Sequence, residues 1–214
     1  MKLFDYYRSS ASYRVRIALH YKNIDCELIH VNLVNDSHLE ETFSEKNPQQ
    51  LVPLLEDDQI SLNQTIAILE YLEEKHPSPT LLPEKLEDKM AVKAFALEVA
   101  CEIHPLNNLR VLKYLKNELK LENNTKTKWY HYWLQKGFDS LEKRVSKSHG
   151  DFCFGDSPTW ADLLLIPQMY NAYRFEFPME KYPILSKIYM HCLKQDYFIK
   201  ASPEERVKDT DVNS

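Results

Sequence analysis

The sequence predicts two domains, a small mixed α/β domain followed by an all-helical one, on three observations. Over residues 1–80 the hydrophobic period switches repeatedly between that of strands and that of helices. A proline cluster (Pro77, Pro79, Pro83) then interrupts the chain in "HPSPTLLPEK". Beyond it, apolar residues recur at helical spacing throughout. The segments 1–80, 81–87 and 88–214 are therefore read as α/β domain, linker and helical domain.

"KLFDY" is short and aromatic-rich and reads as a strand. Ala11, Val15, Ala18 and Leu19 then form one helical stripe, closed by Lys22 and by Asn23, a residue suited to a left-handed turn. "CELIHVNL" is a second strand reached through that crossover helix, so parallel pairing is expected. A polar, weakly helical stretch runs to about residue 46. "LVPLLE" and "QISLN" flank Asp57-Asp58 as an antiparallel hairpin, and "TIAILEYLEEKH" is a helix stopped before Pro77. The order is β-α-β-α-β-β-α. In the second domain a long run from Glu87 bends at Pro105, a second helix covers "KTKWYHYWLQKGFDSLEKRVSK", and a third contains Pro167. Shorter pieces occupy 183–201, and a charged, frayed tail ends the chain.

All three glycines lie between Gly137 and Gly155, so the first half must turn on Asn, Asp and Pro, as at Asn23, Asp57-Asp58 and Asn63. No apolar run is long enough to span a membrane, and the N-terminus shows no secretory h-region. The four cysteines are widely separated, without metal-site spacing, which suits reduced thiols in a cytoplasmic protein. With a net charge of −5 and scattered basic residues, a nucleic-acid partner is disfavoured.

Four features could carry chemistry, and a fifth serves folding. Pro53 inside "LVPLLE" is either an edge-strand proline or a cis-proline that turns the backbone of Val52 outward to a peptide-like ligand. Gln64 and Thr65 stand at a helix start, where free N–H groups and the dipole favour an anion, although an ordinary cap fits equally. Ser9 and Ser10 follow Arg8 at another helix start. One can cap the helix, and a hydroxyl there can also stabilise a thiolate; no nearby base supports a nucleophilic serine. We assign the cap to Ser10 and the donor role to Ser9. Thr159 and Asp162 in "SPTWADLLL" form a capping box, a folding feature. Arg8, Arg110 and Arg174 lie beside apolar stretches; ion pairing or, if they converge, carboxylate binding would explain them.

The β-α-β-α-β-β-α order with a proline opening the third strand resembles the thioredoxin fold. Together with the proline-rich link and the helical half, "YYRSSASYRVRIAL", "NPQQLVPLLE", "TIAILEYLEE", "PLNNLRVLKYL" and "NAYRF" resemble the zeta-class cytosolic glutathione transferases over essentially the whole chain. The resemblance implies glutathione as cofactor and glutathione-dependent cis–trans isomerisation of maleylacetoacetate to fumarylacetoacetate, in aromatic amino-acid catabolism. It implies that Ser9 holds the glutathione thiolate beside Ser10, that Val52 before Pro53 clamps the cysteinyl part, and that Gln64 and Thr65 grip the γ-glutamyl carboxylate. His38 matches a polar residue near the glycyl end. Arg8, Asn108, Arg110 and Arg174 match positions associated with a dicarboxylic substrate. A homodimer is implied as well; no metal is.

One departure stands out: Ala11 replaces the cysteine of the family's Ser-Ser-Cys motif. Three alternatives therefore stay open, namely maleylpyruvate isomerisation, general glutathione transfer or dehalogenation, and a glutathione-binding interaction module without turnover.

Overall fold

The computed structural model describes residues 1–148 and 150–211, with side chains of 208–211 left aside. Contacts divide the chain into two units, Met1–Leu81 together with Leu193 onward, and Leu82–Cys192. The break falls within the proline-rich stretch. The helical domain expected to run to the C-terminus instead ends at Cys192.

In the first unit, β1 (Lys2–Asp5), α1 (Ser10–Tyr21), β2 (Glu27–His30), α2 (Glu41–Ser44), β3 (Leu54–Asp57), β4 (Ile60–Asn63) and α3 (Thr65–Lys75) follow the order read from the sequence. The polar stretch before α2 supplies only a 3₁₀ turn, Ser37–Leu39. The sheet runs β2-β1-β3-β4, with β2 parallel to β1 and the other two pairings antiparallel. Lacking glycine, the tight turns place Asn23 (φ 52°) and Asp58 (φ 49°) in the left-handed region, where Asn and Asp are tolerated best. The Val52–Pro53 bond is cis, and so is Ser78–Pro79, which no residue pattern announces.

A buried charge cluster holds this unit together. Asp5 is fully buried at the end of β1 and pairs through Oδ1 with Arg16 Nη1 (2.6 Å) and through Oδ2 with Arg206 Nε (3.1 Å). Arg16 also donates to the carbonyls of Tyr7 (3.0 Å) and Ala201 (2.9 Å), and Arg206 to that of Leu28 (3.3 Å). Tyr13 donates its hydroxyl proton to the Phe198 carbonyl (3.1 Å). These bonds explain why the C-terminal segment belongs here, with α9 (Asp196–Lys200) and α10 (Pro203–Asp211) in place of a frayed tail through Asp211. The expected fraying of 212–214 lies outside the described residues. A second buried cation, Lys22, donates to the carbonyls of His76 (2.7 Å) and Pro79 (2.8 Å) and pairs with Glu73 (3.0 Å), fixing the end of α3. The sequence suggested only a helix-dipole role for it.

The second unit contains α4 (Leu86–Leu97), α5 (Leu109–Asn117), α6 (Asn123–Val145), α7 (Trp160–Arg174) and α8 (Pro183–Cys192). The expected bend at Pro105 is a full break. A π segment, Glu98–Ile103, is followed by a 3₁₀ turn, Pro105–Asn107, and α5 restarts under its own cap. Proline lacks an N–H and its ring crowds the preceding turn, and the chain widens to an i−5 bond, His104 N–H to the Val99 carbonyl (3.0 Å), just before it. Gly137 of α6 makes room for the π segment: a Cβ there would sit 2.2 Å from Ile103 Cδ1. The capping box of α7 forms, Asp162 accepting from the N–H groups of Thr159 and Cys153 (both 2.8 Å).

Two outcomes follow for stability. Asp5→Ala leaves two buried guanidinium groups without their carboxylate and should cost about 3–5 kcal/mol in urea unfolding. Asp57 accepts hydrogen bonds from Lys75 and Tyr71, and these, Lys75 first, hold its carboxyl below the ordinary 3.8. A carboxyl lowered by folding adds stability that is present above its unfolded value and lost as the pH falls through the folded one. Asp57→Asn should therefore flatten the acid limb of the stability–pH curve below about pH 4, measured by thermal unfolding.

Candidate active site

The strand register gathers one set of candidate residues at a single edge of the sheet. β1 ends there and leads through Tyr6–Arg8 into α1; β3, antiparallel to it, begins there after Val52 and Pro53; β4 ends there and leads into α3. Tyr6 is the pivot. Its side chain packs in one buried cluster with Val31, Phe43, Val52 and Leu54, and its carbonyl accepts from the Ser9 N–H (2.8 Å). Thr65 at the start of α3 donates its hydroxyl proton to the Ala11 carbonyl of α1 (3.4 Å), which brings the two helix starts together.

Ser9, not Ser10, is the N-cap of α1. Its Oγ accepts from the Ser12 N–H (3.2 Å), while Ser10 is the first helical residue and is buried. The cap expected at Ser10 thus falls to Ser9, because the loop from Tyr6 brings Ser9 into the extended conformation a cap requires (φ −69°, ψ 115°). Capping consumes a lone pair of the Ser9 oxygen and leaves its O–H proton for another acceptor. Cap and donor are compatible in one side chain.

Val52 contributes its side chain to the core, yet among the described residues no backbone hydrogen bond uses its N–H or C=O. Gln64 precedes α3 in a left-handed conformation (φ 69°), and among the described residues no side chain caps that helix. The first N–H groups of an eleven-residue helix are therefore open to an anion. The Gln64 amide donates to Gln49 Oε1 (2.8 Å), and Asn47 braces the same corner by donating to the Leu51 carbonyl (2.7 Å) and accepting from Asn63 (3.0 Å). Sequence reading missed Asn47, whose burial is what identifies it. His38, half-buried, lies in the 3₁₀ turn before α2.

Arg8 is exposed and its guanidinium lies 5.0 Å from the Tyr7 ring centre. In the second unit, Asn108 caps α5 by accepting from the Arg110 N–H (3.1 Å), and its amide nitrogen lies 3.3 Å from His104 Nε2. His104 is a neighbour that sequence spacing did not single out. Arg110 and Arg174 are exposed on segments anchored to the same turn of α6. Asn107 donates to the Tyr130 carbonyl (3.2 Å), and the Tyr130 ring stacks on Phe175 (4.0 Å), beside Arg174. Burial pushes the Tyr130 hydroxyl far above its usual value, opposed by the Arg174 charge.

None of the perturbed thiols is poised as a nucleophile. Burial pushes Cys26 up to about 11 and raises Cys153 and Cys192 well above the ordinary thiol value. Among the described residues no group of His, Cys, Asp and Glu is placed to hold a metal, and no helix is long and apolar enough to cross a membrane.

Residues 3–80 match the family model described as glutathione S-transferase, N-terminal domain, and residues 106–200 the corresponding C-terminal domain. A probable maleylacetoacetate isomerase of Vibrio cholerae is 40% identical over 95% of this chain and 96% of its own length. A holo structure of maleylpyruvate isomerase, a bacterial zeta-class glutathione S-transferase, superposes with a TM-score of 0.94 at 39% identity, covering 96% of this chain and 98% of that one. A maleylacetoacetate isomerase from Methylobacterium extorquens with bound malonate and GSH gives a TM-score of 0.92 at 33% identity, covering 96% and 97%.

Proposed function

The chain belongs to the glutathione S-transferase family, in its zeta class, and from that premise we propose that it catalyses glutathione-dependent cis–trans isomerisation of maleylacetoacetate to fumarylacetoacetate. The observation that carries the reading is the corner at the sheet edge, where Ser9 keeps a hydroxyl proton to donate, Val52 keeps both backbone groups, and α3 keeps its N-terminal N–H groups. These fit an extended γ-glutamyl tripeptide: a donor for sulfur, an antiparallel backbone partner and an anion site for the carboxylate.

When bound, glutathione supplies a thiolate that adds to the cis double bond, permits rotation about it and leaves again. The protein's part is positioning and electrostatics. Ser9 donates its O–H to the sulfur, and the adjoining N-terminus of α1 adds positive potential, so the thiol ionises more readily than a free one near about 8.5. Val52 pairs with the cysteinyl backbone, Gln64 and Thr65 hold the γ-glutamyl carboxylate at α3, and Ser10 and His38 complete the binding residues. Arg8, Arg110 and Arg174, with Asn108, bind the carboxylates of the diacid and stabilise enolate charge as it develops. The mechanism as assigned needs no thiol at position 11, so Ala11 leaves it intact.

Turnover on maleylacetoacetate should require glutathione. Ser9→Ala should lower kcat/KM by about 10- to 100-fold, since a hydrogen bond to a charged sulfur is worth roughly 1.5–3 kcal/mol, and loss of the cap should separately cost about 1 kcal/mol in stability. Full turnover in Ser9→Ala, or none in the native chain with glutathione bound, would overturn the reading. Maleylpyruvate in parallel assays separates the closest alternative, which is favoured by the fold match to a maleylpyruvate isomerase.

The protein acts in the cytoplasm as a homodimer. Supporting the location, all four cysteines are free thiols. Supporting the dimer, α4 exposes Leu86 (65%), Met90 (45%), Ala94 and Leu97 (43%) at successive helical spacing, an apolar stripe that a second copy would cover. Light scattering should give twice the 25.3 kDa of the chain, and Leu86→Glu with Met90→Glu should return it to a single copy.

A further inference from the structure

The second unit holds a concavity of about 650 Å³ that the reaction above does not use. Three cations of α6 line it, Lys136, Lys143 and Arg144, with Lys147 in the turn just past its end, together with Ala91 of α4 and Phe154. Lys136 and Lys143 stand seven residues, two turns, apart on one face of the helix, roughly 10 Å along its axis. Lys136 lies 5.6 Å from the Tyr132 ring centre, and Arg144 is held in place by Glu98 (2.9 Å). One carboxylate, Asp139, also lines the concavity and accepts a hydrogen bond from Tyr182 (2.9 Å).

A helix C-terminus favours cations, which accounts for Lys143 and Arg144 in the last turn. It does not account for Lys136 two turns earlier, nor for a hollow beside the row. In a chain of net charge −5, four cations around one hollow concentrate positive potential where the whole molecule would repel anions. The size lies within the range of small-molecule sites. Phe154 is half-buried and held edge-on by Phe95 (centroids 5.9 Å apart, 88°), which fixes an aromatic surface at the hollow.

We propose that this concavity binds a phosphorylated aromatic metabolite of nucleoside-triphosphate size, its phosphates along Lys136, Lys143 and Lys147 with Arg144 as the fixed fork, and its ring against Phe154. Titration calorimetry of the full chain with ATP tests it. One saturable site is expected, weakening as salt rises. Lys143→Glu with Lys147→Glu should lower the affinity at least about tenfold, the scale of losing charge-assisted hydrogen bonds, while circular dichroism and glutathione-dependent turnover stay unchanged. Phe154→Ala should weaken ATP more than inorganic tripolyphosphate. Absence of saturable binding at millimolar ATP, equal affinity in the double variant, or loss of ATP binding in saturating glutathione would overturn the proposal.

Discussion

A buried carboxylate at the end of the first strand organises the first unit. Asp5 lies out of water, where a lone charge would be costly, so its position demands two guanidinium partners, and these come from distant parts of the chain. Arg16 is on the first helix and simultaneously binds the carbonyl of Tyr7. The loop from Tyr6 to Ser9, which sets the orientation of the capping serine, is thereby pinned at both ends. Arg206 comes from the last helix and also reaches Leu28 of the second strand. One side chain thus fixes two strands, the helix between them and the C-terminal return.

The alternating periods, the Asn and Asp turns and the proline cluster were enough to order the first unit, because each of those signals is local. The parallel pairing of β1 with β2 followed from the crossover helix between them, again a local inference. What escaped sequence reading is non-local. Nothing in the local pattern marks Arg14 and Arg16 as buried, yet both are, and only the three-dimensional position of Asp5 explains Arg16. The return of residues 193–211 was illegible for the same reason, since its determinants are contacts nearly two hundred residues apart. At Pro105 the residue type announced an interruption but not its extent, which depends on Gly137 on another helix.

The candidate site shows the same division. Residue types at helix starts flagged Ser9, Ser10, Gln64 and Thr65, and Pro53 pointed to Val52. Which serine caps could not be read from "RSSA", because the answer turns on a backbone angle set by the Tyr6 loop. Asn47 and His104 were silent in the sequence, an asparagine in a loop and a histidine before a proline, until their side-chain partners were visible.

The discontinuous first unit has a consequence for biosynthesis. Chains emerge from the ribosome N-terminus first, and domains ordinarily fold in that order. Here residues 1–81 leave the ribosome long before Phe198, Ala201 and Arg206, so Asp5 and Arg16 must wait for their last partners until synthesis is nearly complete. The helical unit, continuous from Leu82 to Cys192, has all its own residues earlier. The nascent first unit therefore remains incomplete until termination, and the sheet-edge corner it carries becomes fully braced only in the finished chain.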